Sequence, residues 1–250
     1  MRISSNTYLK LVVPHLLLVM MIIISSCTST QISSAMKSAS DYLNEDQQLT
    51  TNDVVAGLKE ALVKGAEYST ASASKTDGYL KNVEIKIPFP PEIKKIENTL
   101  RDLGLNKPVD DFIMSINRAA EQAANEAKPL FVNAIMSMTI EDAWGILKGD
   151  NHAATTYLRK TTSAQLEVKF EPIISNALNK VNATKYYEDM STQYNRIPFV
   201  TKVETDLTKY VNQKAIDGLF ILVAKEEEKI RKDPLARTTE LLKRVFSYEK

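Results

Sequence analysis

From residue 51 onward, apolar residues return every three or four positions, the spacing that lines one face of an α-helix. Thr51 caps the first such stretch, ahead of Val54, Val55, Leu58, Ala61, Leu62, Gly65 and Ala66 on one face. That pattern decays into the small polar run Ser69 to Lys75. Pro91 to Leu103 reads as a second helix, ended by Gly104. Pro108 opens a third, with Val109, Phe112, Ile113, Ile116, Ala119, Ala120, Ala123 and Ala127 as its stripe. Pro129 restarts the chain through Phe131, Val132, Ile135 and Met136. Thr139-Ile140-Glu141-Asp142 resembles a capping box, with Asp in place of the usual Glu, and opens a short helix that ends at Gly149. Asn151 to Lys160 and Ser163 to Val181 continue the period, with Pro172 as a kink or break. Thr184 to Arg196 is rich in tyrosine and is closed by Pro198. Asp206 to Lys232 is the longest periodic stretch. Its middle, Gly218 to Ala224, is apolar all round and predicts a helix at the centre of a bundle. The following Glu227–Arg231 and Glu228–Lys232 pairs, four apart with the acid first, read as an ordinary solvated face. After Asp233-Pro234, Leu235 to Phe246 forms a last amphipathic helix.

One stretch breaks the helical rhythm. Between Asp77 and Pro91, Val83, Ile85 and Ile87 alternate with charged residues, so this is one short strand or an extended segment. The expected fold is therefore an all-α multi-helix bundle with one short extended segment near residues 80–90. Seven glycines in 250 residues, with 44% hydrophobic residues, favour helices over a turn-rich β architecture. Long irregular connections in compact domains often carry function, which makes Asp77 to Pro91 the leading candidate. Tyr79 and Phe89 are its aromatic anchors for a partner. The competing reading is a strap across the bundle, with Ile85 and Ile87 plugging the core.

The first 26 residues differ in kind. Arg2 and Lys10 precede the apolar run Leu11 to Ile24, no acid precedes it, and Ser25-Ser26-Cys27 follows. A basic start, an apolar stretch and small residues at the cut describe a secretory signal peptide. At about 14 residues the run would reach roughly 21 Å as a helix, against a hydrocarbon core of about 30 Å. A branched aliphatic, two small residues and cysteine resemble the bacterial lipobox, whose cysteine is lipidated and becomes the mature N-terminus. The expected organisation is a signal peptide over 1–26, a lipidated tether over 27–49 and a single all-helical domain over 50–250. Thr28, rather than an aspartate, follows Cys27, a context that resembles outer-membrane sorting. The protein is thus expected in the cell envelope, facing the periplasm and held to the membrane through Cys27.

Charge and cysteine content narrow this further. The formal charge is +1, and removing a leader with two positive charges leaves −1, with no basic block for nucleic acid. Cys27 is the only cysteine, so lipidation leaves neither a disulfide framework nor a thiol nucleophile.

Several stretches together resemble one bacterial family, domain-of-unknown-function family 4197. They are Asp77-Gly78-Tyr79-Leu80 with Ile85-Lys86-Ile87-Pro88, Asn117-Arg118-Ala119-Ala120-Glu121, Ile146-Leu147-Lys148-Gly149 and Lys185-Tyr186-Tyr187. Asp217-Gly218-Leu219-Phe220 and Ala236-Arg237-Thr238-Thr239-Glu240-Leu241-Leu242 complete the set, so the resemblance covers roughly residues 50 to 247. It implies an envelope lipoprotein or secreted protein and brings no assigned activity.

Candidate chemistry is sparse. His152 is the one histidine left after cleavage, and neither metal-ligand spacing nor a nucleophile-elbow sequence accompanies it. Arg118 and Glu121, one helical turn apart, form either an exposed ion pair or a polar cluster facing a groove. Arg237, with Thr238 and Thr239, reads as a helix start or an interaction residue. No catalytic residue, metal site or cofactor is assigned. The leading expectation is a non-enzymatic interaction or scaffold module that binds an envelope protein. The alternatives are a carrier of an apolar ligand or lipid within the bundle, and an enzyme of unknown type.

Overall fold

A computed structural model describes residues 50–90, 94–196, 198, 199, 202, 204, 206–233, 243 and 245, with the backbone alone for 186, 190 and 193. The chain divides between Thr50 and Thr51, and the second unit carries everything below. Among the described residues it is all-α, with eight helices and no strand. They are α1 (Thr51–Ser74), α2 (Lys94–Asp102), α3 (Asn106–Ala124), α4 (Ala127–Met136), α5 (Ile140–Leu147), α6 (Ala153–Asn179), α7 (Ala183–Asn195) and α8 (Leu207–Lys232). Among the described residues no single helix is long and apolar enough to cross a membrane.

The long helices make the bundle. α8 lies against α6 and α1, α3 packs on α6, and α4 fills the space between α1 and α6. Their inner stripes meet at Leu58, Ile116, Phe131, Ile135, Leu158, Phe170 and Phe220, all essentially without solvent contact. The Phe131 and Phe220 rings tilt against each other with centroids 5.6 Å apart, a favourable aromatic geometry. The capping box at Thr139 forms as its spacing predicts. The Thr139 hydroxyl accepts from the Asp142 N–H, and the Asp142 carboxylate accepts from the Thr139 N–H, each at 3.1 Å.

Four local expectations are corrected. α1 does not decay at Ser69 but continues to Ser74. The Ser69 and Thr70 hydroxyls donate back to the carbonyls of Gly65 and Ala66, at 2.7 and 2.8 Å, so these buried side chains satisfy themselves within the helix. Pro172 does not separate two helices but sits inside the continuous α6. The Asn212 amide of α8 donates to the Glu167 carbonyl at 3.0 Å, close to the Val168 carbonyl that loses its usual N–H to the proline. The Gly218 to Ala224 stretch is not apolar-buried on all sides, because Ile221 stands 40% exposed while Leu219 and Phe220 point inward. The Glu227–Arg231 pair is not a solvated face: Glu227 is buried, and Arg231 nearly so, whereas Glu228 and Lys232 lie outside as expected.

The segment after α1 is neither strand nor simple extension. Its first half is a run of turns, with the Asn82 carbonyl accepting from both Ile85 and Lys86 and its side chain from the Glu84 N–H. The turn throws Val83 out to 94% exposure, whereas Ile85 and Ile87 enter the core. The segment is a strap laid across α3 and α8.

Candidate functional site

The strap is fixed by three side chains from one face of α3. Asn117, Arg118 and Glu121 are spaced to share that face, since i, i+3 and i+4 neighbour one another on a helix. Glu121 is buried and accepts through one oxygen from the Tyr79 and Leu80 N–H groups, both at 3.1 Å. Its other oxygen accepts from Arg118 at 2.5 Å, and Arg118 also donates to Asp77 at 2.6 Å. Lys81 closes the chain of charges on Asp77 at 2.7 Å. Asn117 does for Ile87 what a neighbouring strand would do. Its side-chain oxygen accepts from the Ile87 N–H and its amide donates to the Ile87 carbonyl, both at 2.8 Å. Backbone groups that would otherwise be buried unpaired are satisfied this way.

Tyr79 and two glycines complete the fit. The Tyr79 ring is fully buried, and its hydroxyl donates to the Ala215 carbonyl of α8 at 2.6 Å. A Cβ on Gly218 would stand 2.8 Å from that ring and 3.0 Å from the Cβ of Ile85, so α8 needs a glycine where the strap crosses it. A Cβ on Gly78 would stand 2.4 Å from the Ala73 carbonyl oxygen, and the bend there also puts Asp77 at φ 67°. The stretches Asp77-Gly78-Tyr79-Leu80, Asn117-Arg118-Ala119-Ala120-Glu121 and Asp217-Gly218-Leu219-Phe220 are thus the parts of one joint.

The charges in this joint reinforce one another. Hydrogen bonds from Lys81 and then Arg118 hold the Asp77 carboxyl below the usual carboxylate range. Glu121 and then Asp77 raise the Arg118 guanidinium. Burial, and secondarily the Glu121 charge, push the Tyr79 phenol far up, so it remains a donor. A carboxylate whose folded value is depressed adds stability above its unfolded value and loses it as pH falls through the folded one. The native chain is therefore expected to lose part of its stability on acidification below the ordinary aspartate range. Asp77→Asn, which tolerates the same left-handed backbone, is expected to flatten that part of the slope. Urea midpoints measured from pH 6 down to pH 2 check this; parallel curves for the two chains would contradict it.

A second clamp joins the ends of three helices. Glu227 accepts from the Ala154 and Thr155 N–H groups at 2.9 and 2.8 Å and from the Thr155 hydroxyl at 2.8 Å. It thereby caps α6 from α8, since the N-cap residue His152 offers no side-chain bond and is exposed. Arg231 pairs with Glu227 at 2.9 Å and donates to the Ile146 carbonyl at 2.7 Å, closing the end of α5. The sequence held a signal for this: Glu227 falls on the same stripe as Phe220 and Val223, where an unpartnered carboxylate would be costly.

Two concave surfaces flank the strap. A cleft of about 480 Å³ opens beside its turn, bordered by Tyr68, Ser72, Lys75, Lys81, Val83 and Leu222. At the other end Phe89 tilts against Phe112 with ring centroids 5.0 Å apart. These rings face an apolar groove of about 460 Å³, with Leu100 of α2 and Val109 of α3 also lining it. This apolar groove lies at the edge of the bundle, between α2 and α3.

The structure brings Asp77, Tyr79, Arg118 and Glu121 together and places Phe89 at the far end of the strap. Tyr79 is fully buried, so its ring is not an anchor for a partner, whereas Phe89 is buried except where its ring lines the groove. Cys27 and Arg237 lie outside the described residues. Among the described residues no group of three or more His, Cys, Asp or Glu is placed to hold a metal ion.

No curated protein and no solved structure matches the chain. Residues 48–247 match the family described as Protein of unknown function (DUF4197). That span takes in the strap, both helices that hold it and the Glu227–Arg231 clamp, and the chain belongs to this family.

Proposed function

We propose that the protein is a non-enzymatic interaction module, tethered to the bacterial envelope through a lipidated Cys27 and facing the periplasm. The observation that carries this reading is the contrast along the strap. Its backbone is locked by buried hydrogen bonds, yet its turn presents Val83 almost fully to solvent beside a cleft edged by the 57%-exposed Tyr68. A loop held rigid from beneath meets a partner without losing much conformational freedom, which favours affinity. Asp77, Arg118 and Glu121 are engaged with one another or with the strap backbone, which supports positioning over turnover. The partner class is an envelope protein that offers an apolar side chain to Val83 and Tyr68 and an acidic group to Lys75.

Photo-crosslinking in the native envelope tests this. A crosslinker at Val83 is expected to trap the same discrete species as one at Tyr68. One at Val168, a 70%-exposed position on α6, is expected to trap none of it. Val83→Asp is expected to abolish the Tyr68 product. Identical products from positions 83 and 168, or none from 83 and 68, would overturn the reading. Mass spectrometry of the native N-terminus tests the tether: an acylated Cys27 is expected, and an unmodified sulfur or a retained leader would remove it.

A further inference from the structure

We propose that the cleft between α6 and α8 is a binding site for a linear aliphatic polyamine, held by Glu167, Glu171 and Asp206 with the Asn212 side-chain oxygen at its floor. It lies at the start of α8 and shares no residue with the cleft beside Val83, so it stands apart from the interaction surface proposed above.

An unsatisfied atom leads there. Asn212 is 7% exposed and is the one buried residue on a lining that is otherwise exposed among the described residues. Its amide nitrogen donates to the Glu167 carbonyl at 3.0 Å, while its side-chain oxygen accepts from nothing among the described residues. A buried acceptor without a donor costs its lost hydration, and folded proteins keep few of them. Its place in the wall of a cleft of about 270 Å³ points to a donor that arrives from outside.

The rest of the lining calls for the same chemistry. Glu167 and Glu171 stand one turn apart on α6, and neither has an ion-pair partner among the described residues. Like charges at that spacing repel each other. Asp206 caps α8 with one oxygen, which accepts from the Lys209 N–H at 3.1 Å, and leaves the other open. The donors of the lining are committed elsewhere. The Lys209 ammonium pairs with Glu204 at 2.7 Å, and the Gln213 amide donates to Asp217 at 3.3 Å. What remains open is a set of acceptors, with three carboxylates against one ammonium.

The spread of these acceptors selects the shape of the cation. Residues four apart on a helix lie about 6 Å apart along its axis, and residues seven apart about 10 Å. Glu167 and Glu171 on one wall, with Asp206 and Gln213 on the other, therefore set out a row along the cleft. They do not gather around one point, and no three acids among the described residues are placed to share a metal ion. An aliphatic chain carrying several ammonium groups matches such a row. Each nitrogen makes charge-assisted bonds to a carboxylate, and the methylenes between need no partner.

Calorimetry on the purified full chain tests this with spermidine, butylamine and magnesium chloride at constant ionic strength. Spermidine is expected to bind one to one, with butylamine and magnesium at least tenfold weaker. The double change Glu167→Gln with Glu171→Gln is expected to weaken spermidine at least tenfold. Both side chains are exposed, so this variant should keep the native melting temperature. Asn212→Ala is expected to weaken spermidine severalfold, measured well below that variant's own melting temperature. Glu141→Gln, which removes an exposed acid from α5, is expected to leave the affinity unchanged. Absence of spermidine binding, magnesium as tight as spermidine, an equal loss in Glu141→Gln, or an unchanged affinity in either cleft variant would overturn the proposal. So would binding of oligolysine without any binding of spermidine, which would make the cleft a contact for a basic protein segment.

Discussion

Glu227→Ala is expected to cost about 4 kcal/mol of stability, because it takes the carboxylate away from a buried ion pair and from the backbone donors that the same carboxylate satisfies. Glu227 is 6% exposed and Arg231 is close behind, so water cannot readily replace what is lost. Three donors of α6 would lose their acceptor together: the Ala154 and Thr155 N–H groups and the Thr155 hydroxyl. Arg231 would lose the buried carboxylate that it holds through two nitrogens, while its bonds to the carbonyls of Ile146 and Leu147 remain. For a domain of this size each kcal/mol moves the midpoint by about 2–4 °C, which predicts a fall on the order of 10 °C. Thermal and urea melts check this. The double variant Glu227→Leu with Arg231→Met should recover much of the loss, because a buried pair replaced whole by apolar side chains costs far less than one broken by removing a single partner. A single variant as stable as the native chain would contradict the account of the clamp.

The second large effect is expected at Glu121. Glu121→Ala should cost about 3 kcal/mol, somewhat less than the first because Arg118 is 37% exposed and retains Asp77. The more specific signature is local. Tyr79 and Leu80 lose the acceptor of their N–H groups, so their amides are expected to exchange orders of magnitude faster, while the middle of α6 remains protected. Glu121→Gln keeps an acceptor but gives up the charge facing Arg118, and should fall between the two. Hydrogen exchange resolved by residue distinguishes a loosened strap from a general loss of stability. Equal acceleration across the bundle would contradict the assignment of Glu121 to the strap.

The helical architecture was legible because most helices carry both a period and a boundary. α5 is the clearest case, with a capping box at Thr139 and apolar Ile146 and Leu147 on its inner side. The breakers were harder. Pro172 carries the same covalent restriction anywhere, but in this chain α6 runs through it from Ala153 to Asn179, and one turn earlier the Asn212 amide of α8 ties the Glu167 carbonyl, a contact that lies forty-five residues apart in sequence. The small polar end of α1 misled for a similar reason: serine and threonine weaken helices in isolation, yet here they are buried and turn their hydroxyls back on the helix. At the strap, alternation marked Ile85 and Ile87 as inward but could not show that the Asn82 turn ejects Val83. Arg118 and Glu121 were identifiable as a pair by their spacing on one helix, and Asp77 separately as the start of the extended segment; nothing in the sequence joined the two. That they hold a backbone, rather than a ligand, depends on which N–H groups face them, and sequence does not carry that geometry.

The crossing of the strap over Gly218 sets an order of events on a chain made from its N-terminus. Tyr79 and Ile85 emerge well before Ala215 and Gly218, and until α8 exists the phenol has no carbonyl to meet and the ring no surface to cover it. A nascent chain halted before residue 207 would have α1, α3 and the strap in hand and still expose the greasy underside of all three. Completion depends on contacts more than a hundred residues apart, the kind that form slowly. Such a half-made molecule is a natural client for a holding chaperone, and it becomes safe to release only when its last long helix arrives.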